Sequence, residues 1–154
     1  MTPTPSQVRG YITAQIAAIV VDSSYQQSAT DAWRESKVPL MPEFTPEPAE
    51  QLSFFVDNRR LTLADTRANS AEELLVNGPM LIRFLYRLRA ASRVADWDKA
   101  DAARVALWKS LLSGWESAYG MNITPADQFS DIQVLGDWLA VSIGINVQFY
   151  TPAV

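Results

Sequence analysis

The stretch GDWLAVSIGINVQFY, residues 136–150, decides the fold because its side chains alternate for almost its whole length. One set is strongly apolar and consists of Leu139, Val141, Ile143, Ile145, Val147 and Phe149. The other set is small or uncharged and consists of Ala140, Ser142, Gly144, Asn146, Gln148 and Tyr150. Strict alternation predicts a strand with one buried face. The strand exceeds the usual length of about five to six residues, and its second face carries no charge, so we expect another surface to cover that face.

Other strands are predicted around this one. Residues 80–89 alternate in the same way and predict a second long strand, with Met80, Ile82, Phe84, Tyr86 and Leu88 on its apolar side. Residues 52–56 predict a strand, residues 57–60 the charged tip of a hairpin, and residues 61–63 its return strand. Residues 132–135 predict a short strand that turns at Gly136 into the final one. Residues 71–76 suggest a helical turn that Asn77-Gly78-Pro79 ends.

Two helices are predicted. Thr4 stands between Pro3 and Pro5, which is typical of a helix N-cap and first turn, and the apolar spacing that follows fades near Ser23. The central helix is expected over residues 98–117, capped by Asp96 or Asp98 and followed by Gly120. Its apolar side is assigned to Ala102, Val105, Ala106, Trp108, Leu111, Leu112 and Trp115.

Together these elements predict an α+β fold: a two-layer domain over residues 1–154, with a mainly antiparallel sheet of long strands packed by the N-terminal and central helices. Residues 38–48 contain four prolines and predict an extended loop that is long enough to suggest a functional role. The expected core comprises Phe84, Trp108, Leu111, Leu112, Val141, Ile143, Ile145 and Val147.

Composition excludes several classes of chemistry. The chain has 154 residues, 48% of them hydrophobic, a net charge of −4, and neither Cys nor His. Disulfides, thiolate catalysis, His-dependent triads and typical zinc sites are therefore excluded. The acidic balance argues against sequence-specific nucleic-acid binding. No signal peptide or membrane-spanning segment is recognised, so we expect a soluble protein made in the cytoplasm.

No residue pattern specifies catalysis, a cofactor or a metal, and we expect no enzymatic activity. The acidic run Asp96, Asp98 and Asp101 lacks the oxygen ligand and glycine that a calcium loop needs, and acidic residues at a helix start are favoured by the helix dipole. The partner-binding candidates are the hairpin-tip arginines, a basic strand face and two tryptophans in polar surroundings: Arg59, Arg60, Arg83, Arg87, Arg89, Trp33 and Trp97. The alternative for the arginines is a solvated outer sheet face.

The order of the elements resembles that of the small neck and tail-completion proteins of tailed bacteriophages, above all tail terminators. The resemblance rests on an N-terminal helix, a Pro-rich loop, the hairpin LSFFVDNRRLTL, the strand MLIRFLYRLRA, the helix ADWDKADAARVALWKSLLSGW and the closing strand DWLAVSIGINVQFY. It covers nearly the whole chain and lies in element order rather than in a diagnostic motif.

This resemblance implies a structural virion protein that forms a hexameric ring, caps the tail tube and contacts neck or connector proteins, without a catalytic residue. It places the protein in the tail or neck of the virion. Two alternatives remain: a head–tail stopper or connector, and a small-ligand or enzymatic domain that uses Asp, Glu, Tyr and Arg alone. In a ring, the small second face of the final strand would be covered by a neighbouring subunit or by the first helix.

Overall fold

The computed structural model describes residues 3–37, 39–40, 50–58, 61–63, 73–112, 121–126 and 130–152. These residues form one seven-stranded sheet, mostly antiparallel, with two helices, which confirms the predicted α+β class. The strands are β1 (Arg34–Glu35), β2 (Ser53–Asn58), β3 (Thr62–Leu63), β4 (Glu73–Arg87), β5 (Asn122–Pro125), β6 (Asp131–Leu135) and β7 (Trp138–Pro152). The helices are α1 (Pro5–Ala17) and α2 (Arg93–Leu112).

The centre of the sheet is the pair β4 and β7, which run antiparallel in register over 15 residues each, from Glu73 opposite Pro152 to Arg87 opposite Trp138. β2 and β3 extend the sheet beside β4, and β5 and β6 extend it beside β7. β1 pairs parallel with β2 at one margin. β6 and β7 are joined by a turn at Gly136, whose φ of 62° suits glycine. The long final strand and its turn are therefore confirmed.

α1 begins where the sequence predicts and ends earlier. The Thr4 hydroxyl accepts a hydrogen bond from the Gln7 amide, and the Gln7 side chain accepts one from the Thr4 amide, so the two residues form a capping box. The helix places Val8, Ile12 and Ile16 in the core and ends at Ala17 rather than near Ser23.

Two predictions are wrong: the pairing of the hairpin strands, and the helical turn expected before the second long strand. Asp57 and Asn58 continue β2 instead of turning, and β3 pairs with β4 rather than returning along β2. Residues 73–79 form the first half of β4 and not a helical turn. Pro79 lies between two parts of β4. The part that pairs with β2 ends at Met80, opposite Asn58, and the part that pairs with β3 begins at Asn77, opposite Thr62. Proline is tolerated between these two pairings because it lacks the backbone N–H that a paired position would need.

α2 faces the sheet with a different side from the one predicted. It begins at Arg93, directly after a single 3-10 turn at Ala90–Ser92, and its buried residues are Asp96, Ala100, Ala103, Leu107 and Leu111. Of the predicted apolar side, Val105 and Leu112 are exposed, and Ala102, Ala106 and Trp108 are only partly buried. Trp115 and Gly120 lie outside the described residues. The physical reason is that α2 carries two apolar stripes, and the sheet covers only one of them.

Trp108 therefore contributes less to stability than a core tryptophan. Its ring is partly buried, and the Arg104 guanidinium carbon lies 5.3 Å from the ring centroid. We expect Trp108→Ala to lower the free energy of unfolding by about 1–2 kcal/mol, because only part of the ring leaves water on folding. Urea denaturation followed by circular dichroism tests this. A loss of about 4 kcal/mol would show that the ring is a full core residue.

The two faces of the sheet differ. The first face, which packs against the helices, carries the apolar side chains of β7 together with Phe84 and Tyr86 of β4, all nearly inaccessible to solvent. On the second face, Leu40 packs against Leu85 and Ala140, with three partly buried side chains around them: Phe55, Leu135 and Trp138. Leu40, and not α1, therefore covers the start of the second face of β7. The rest of this second face is called the open face below.

Candidate partner-binding surfaces

The open face of the sheet contains a polar groove of about 280 Å³. It lies where β3, β4, β5 and β7 run side by side, and we call it the amide groove after its lining, which consists of Thr62, Asn77, Pro79, Asn122, Thr124, Asn146 and Gln148. The Gln148 Nε2 donates a hydrogen bond of 3.2 Å to the Asn77 Oδ1. None of the described residues that line the groove is ionisable, so this part of its lining offers amide and hydroxyl groups to a partner without the cost of burying a charge.

The amide groove was not among the candidate sites from the sequence. Asn146 and Gln148 belong to the uncharged second face of β7, and from the sequence we expected only that another surface covers this face. Asn77 was assigned to the end of a helical turn, so its position opposite Gln148 depends on the β4–β7 register. Asn122 and Thr124 reach the groove only through the pairing of β5 with β7.

Arg83 serves the fold rather than standing free on a solvated face. Its Nε donates a hydrogen bond of 2.8 Å to the Ser142 Oγ on the neighbouring strand, and its Nη1 donates to the Leu40 carbonyl. The side chain therefore holds Leu40 against the sheet beside Leu85 and Ala140.

Arg89 is bound to a buried carboxylate. It lies beyond the end of β4, and its backbone amide, Nε and Nη2 all donate hydrogen bonds to Asp96, at 2.8, 3.2 and 2.8 Å. Ser92 Oγ also donates to Asp96, at 3.1 Å. Burial raises the pKa of Asp96, but the hydrogen bonds from Arg89 and Ser92 outweigh it and lower this pKa to about 2. Asp96 thus fixes the start of α2 against the end of β4.

The predicted row of three arginines is therefore not a uniform basic stripe. Arg83 and Arg89 are held by intramolecular contacts, and Arg89 is outside the strand. Arg87 is exposed at the last position of β4, and its backbone amide donates to the Gln51 Oε1 at 2.7 Å. Arg59 and Arg60 of the predicted hairpin tip lie outside the described residues, as do residues 38 and 41–48 of the Pro-rich loop.

The prediction that Trp33 is an interface anchor is wrong, because Trp33 is a core residue. Only 2% of it is exposed, and its ring lies edge-on to Phe84, with the two ring centroids 5.0 Å apart. Its Nε1 donates a hydrogen bond of 3.3 Å to the Tyr25 hydroxyl, and the Tyr86 hydroxyl donates to the Tyr25 carbonyl at 2.8 Å. Burial raises the pKa of both tyrosines. This aromatic group therefore stabilises the segment between α1 and β2.

Trp97 differs from Trp33, because 36% of it is exposed near the start of α2. Together with Arg93, Val94 and Asp98 it lines a shallow depression. Val94 is 80% exposed, so this end of α2 presents apolar surface next to charged groups. Arg93 is fixed by a hydrogen bond of 3.0 Å from its Nη2 to the Gly136 carbonyl.

The described part of the chain contains no group of three or more Asp or Glu side chains that could hold a metal ion. Its shifted titrating groups have structural partners: Asp96 with Arg89, Asp22 with Ser24, and the two tyrosines within the aromatic group. Neither described helix is long and apolar enough to cross a membrane. Neither family models nor curated proteins gave a match to this chain.

Proposed function

We propose that this protein is a structural component of a tailed-phage virion: a tail terminator that forms a ring, caps the tail tube and contacts the neck. The observation that carries the proposal is the arrangement of the elements. An N-terminal helix, a long strand, a second helix and a long closing strand follow one another in the order that the resemblance implies, although β2 and β3 both pair with β4 instead of forming the expected hairpin.

The surfaces of the sheet support assembly into a ring. The described lining of the amide groove on the open face is uncharged, and depletion of charge is typical of the centre of a protein interface. At the margins stand β1, of two residues, and β6, which pairs only with β7 among the described strands. Subunits in a ring contact each other head to tail through two different surfaces. The open face and a sheet margin are suitable for these two roles.

A stopper or connector role is the alternative within the same class of protein, and it predicts the same ring. The two roles differ in what fails without the protein: a terminator controls tail length and completion, whereas a stopper closes the filled head. An enzymatic role has less support, because the shifted pKa values of the described acids and tyrosines arise from contacts that stabilise the fold.

Ring formation by the purified protein is the direct test. Mass photometry and negative-stain microscopy are expected to show closed particles of six copies of the 17.1 kDa chain, about 103 kDa in total. A ring-sized particle is expected to be lost in Gln148→Lys, because this change places a charge in the amide groove at a surface that a neighbouring subunit covers.

Gln15→Lys is the matched control. It makes the same substitution at another half-buried glutamine, on α1 and therefore on the helical side of the sheet. Rings in Gln15→Lys but not in Gln148→Lys would support a subunit contact at the open face. A parent protein that stays monomeric at all concentrations, also when mixed with tail tubes, would contradict the proposed function.

A further inference from the structure

The second apolar stripe of α2 is largely exposed to solvent. We call it the outer stripe, and it consists of Val94, Trp97, Val105, Trp108 and Leu112. Val94, Trp97, Val105 and Leu112 are 80%, 36%, 58% and 39% exposed, and Trp108 is partly buried. Isolated exposed apolar residues are ordinary, but a row of five that includes two tryptophans, interrupted only by Asp101 within the described helix, indicates an interaction surface.

The geometry of the helix places these residues in one line. At about 100° per residue they fall within an arc of about 80°, roughly 120° away from the centre of the buried stripe. The stripe runs from the first to the last turn of α2, a length of about 27 Å at about 1.5 Å per residue. The one charged residue inside this arc is Asp101, whose carboxylate is paired with Arg104 at 3.1 Å.

The order of residues along the outer stripe is close to symmetric about Ala103. When a second α2 lies antiparallel across the first, Val94 of one copy is opposite Leu112 of the other. In the same register Trp97 is opposite Trp108, and each pair occurs twice. A two-fold contact requires this kind of self-complementary surface, since the same patch is used by both copies.

The charges along the stripe fit the same register. Asp98 and Lys109 border the stripe on one side, and the same borders meet when two helices pair antiparallel about a two-fold axis. Asp98 of one copy then faces Lys109 of the other. Asp101 inside the stripe lies opposite Val105 of the other copy, next to Arg104 on the opposite border. Opposite charges are therefore brought together at two places, which favours this register over a parallel one.

From this self-complementarity we propose that the outer stripe of α2 is a dimerisation surface, on which a second copy of this chain docks through its own α2 in antiparallel orientation. The contact is independent of the proposed ring. A ring uses head-to-tail contacts, whereas this contact is two-fold, so it would join two separate subunits or two rings face to face.

Cysteine crosslinking tests the register directly, because the chain contains no Cys. Val94→Cys and Leu112→Cys are made as separate proteins and treated with a short bismaleimide, alone and as an equimolar mixture. The mixture is expected to give crosslinked dimers, while each variant alone stays mainly monomeric, because its two thiols lie at opposite ends of the paired helices. Equal crosslinking of Val94→Cys with itself, or none in the mixture, would overturn the proposal.

A second measurement does not depend on crosslinking geometry. Val105→Asp is expected to weaken dimerisation at least about tenfold in sedimentation velocity, because it buries a charge at the centre of the contact. Val20→Asp is the control, since that valine is 83% exposed just after α1 and outside both the outer stripe and the sheet margins, and it should dimerise like the parent. Equal effects of the two changes, or a parent that stays monomeric while the stripe binds a different protein, would contradict the proposal.

These experiments distinguish a failure of the ring proposal from a failure of the α2 dimer proposal. Val105→Asp should still form rings, because it leaves the open face unchanged, and Gln148→Lys should still dimerise through α2. Dimers without rings would remove the proposed function and leave the α2 contact in place. Rings without α2 dimers would do the reverse.

Discussion

Trp33→Ala is expected to lower the free energy of unfolding by about 3–5 kcal/mol, the loss typical of removing a large buried aromatic side chain. The ring packs against Phe84 and Phe54, with centroid distances of 5.0 and 6.4 Å, and its Nε1 donates to the Tyr25 hydroxyl. The change therefore leaves a cavity at the centre of the core and removes one hydrogen bond. Urea denaturation monitored by circular dichroism measures the loss.

Trp97→Ala is the matched control for this prediction. Trp97 is 36% exposed on α2, and we expect its removal to cost no more than about 1 kcal/mol. If Trp33→Ala unfolded at the same urea concentration as the parent, Trp33 would be a surface residue and the packing of the segment between α1 and β2 would be wrong.

Asp96→Ala is expected to cost about 3 kcal/mol. The carboxylate is fully buried and accepts hydrogen bonds from Arg89 and Ser92, and a hydrogen bond to a charged group makes a net contribution of about 1.5–3 kcal/mol. Its loss leaves a small cavity and releases the start of α2 from the end of β4. Asp98→Ala, two residues along the same helix and exposed, is expected to change stability by about 0.5 kcal/mol or less. Equal unfolding free energies for the two variants would contradict the structural role of Asp96.

The Asp96 carboxylate also makes the free energy of unfolding depend on pH in the acid range. Its pKa is about 2 in the folded protein and near its usual 3.8 in the unfolded chain. Because the folded value is the lower one, its contribution to stability is complete above about pH 4 and is lost as the pH falls toward 2. Arg89→Ala removes the charged partner and should raise the folded-state pKa of Asp96 toward its unfolded value, so the loss of stability between about pH 5 and 2 should be smaller than in the parent. Unfolding free energies between pH 2 and 5 that are parallel for the parent and Arg89→Ala would contradict this.

The strands were predictable where apolar and polar residues alternate without interruption. β7 and the second half of β4 have this pattern, and their apolar faces are buried as expected. The first half of β4 was missed because Gly78 and Pro79 normally end elements. Pro79 is accommodated by the gap between β2 and β3, which is a property of the assembled sheet and cannot be read from local sequence.

The helix α2 shows why periodicity alone did not identify its buried side. Two apolar stripes satisfy the same spacing, and the larger side chains, including Trp108, lie on the stripe that the sheet leaves uncovered. The sheet instead accommodates Ala100 and Ala103, whose small side chains allow close approach, together with Leu107 and Leu111. The larger side chains therefore led the sequence prediction to assign the exposed stripe to the buried side of α2.

The candidate partner-binding residues were predicted to be exposed because their neighbours in the sequence are polar. The residues that bury or bind them in the structure are distant in the sequence. Trp33 stands in a polar stretch, but Phe84 and Phe54 bury it. Arg83 is tied to Leu40, 43 residues away, and to Ser142, 59 residues away. Trp97 alone among the described candidates combines an aromatic ring with an exposed apolar neighbourhood, which local sequence did indicate.

The measurement that tests the central claim most directly is electron microscopy of particles assembled by a phage in which the gene for this chain is silenced. Heads, free tails and joined virions are counted separately, and tail lengths are measured. The terminator proposal predicts filled heads that lack tails, together with tails of abnormal or variable length, and recovery when the intact protein is supplied. Fully joined virions with tails of normal length in its absence would contradict the account.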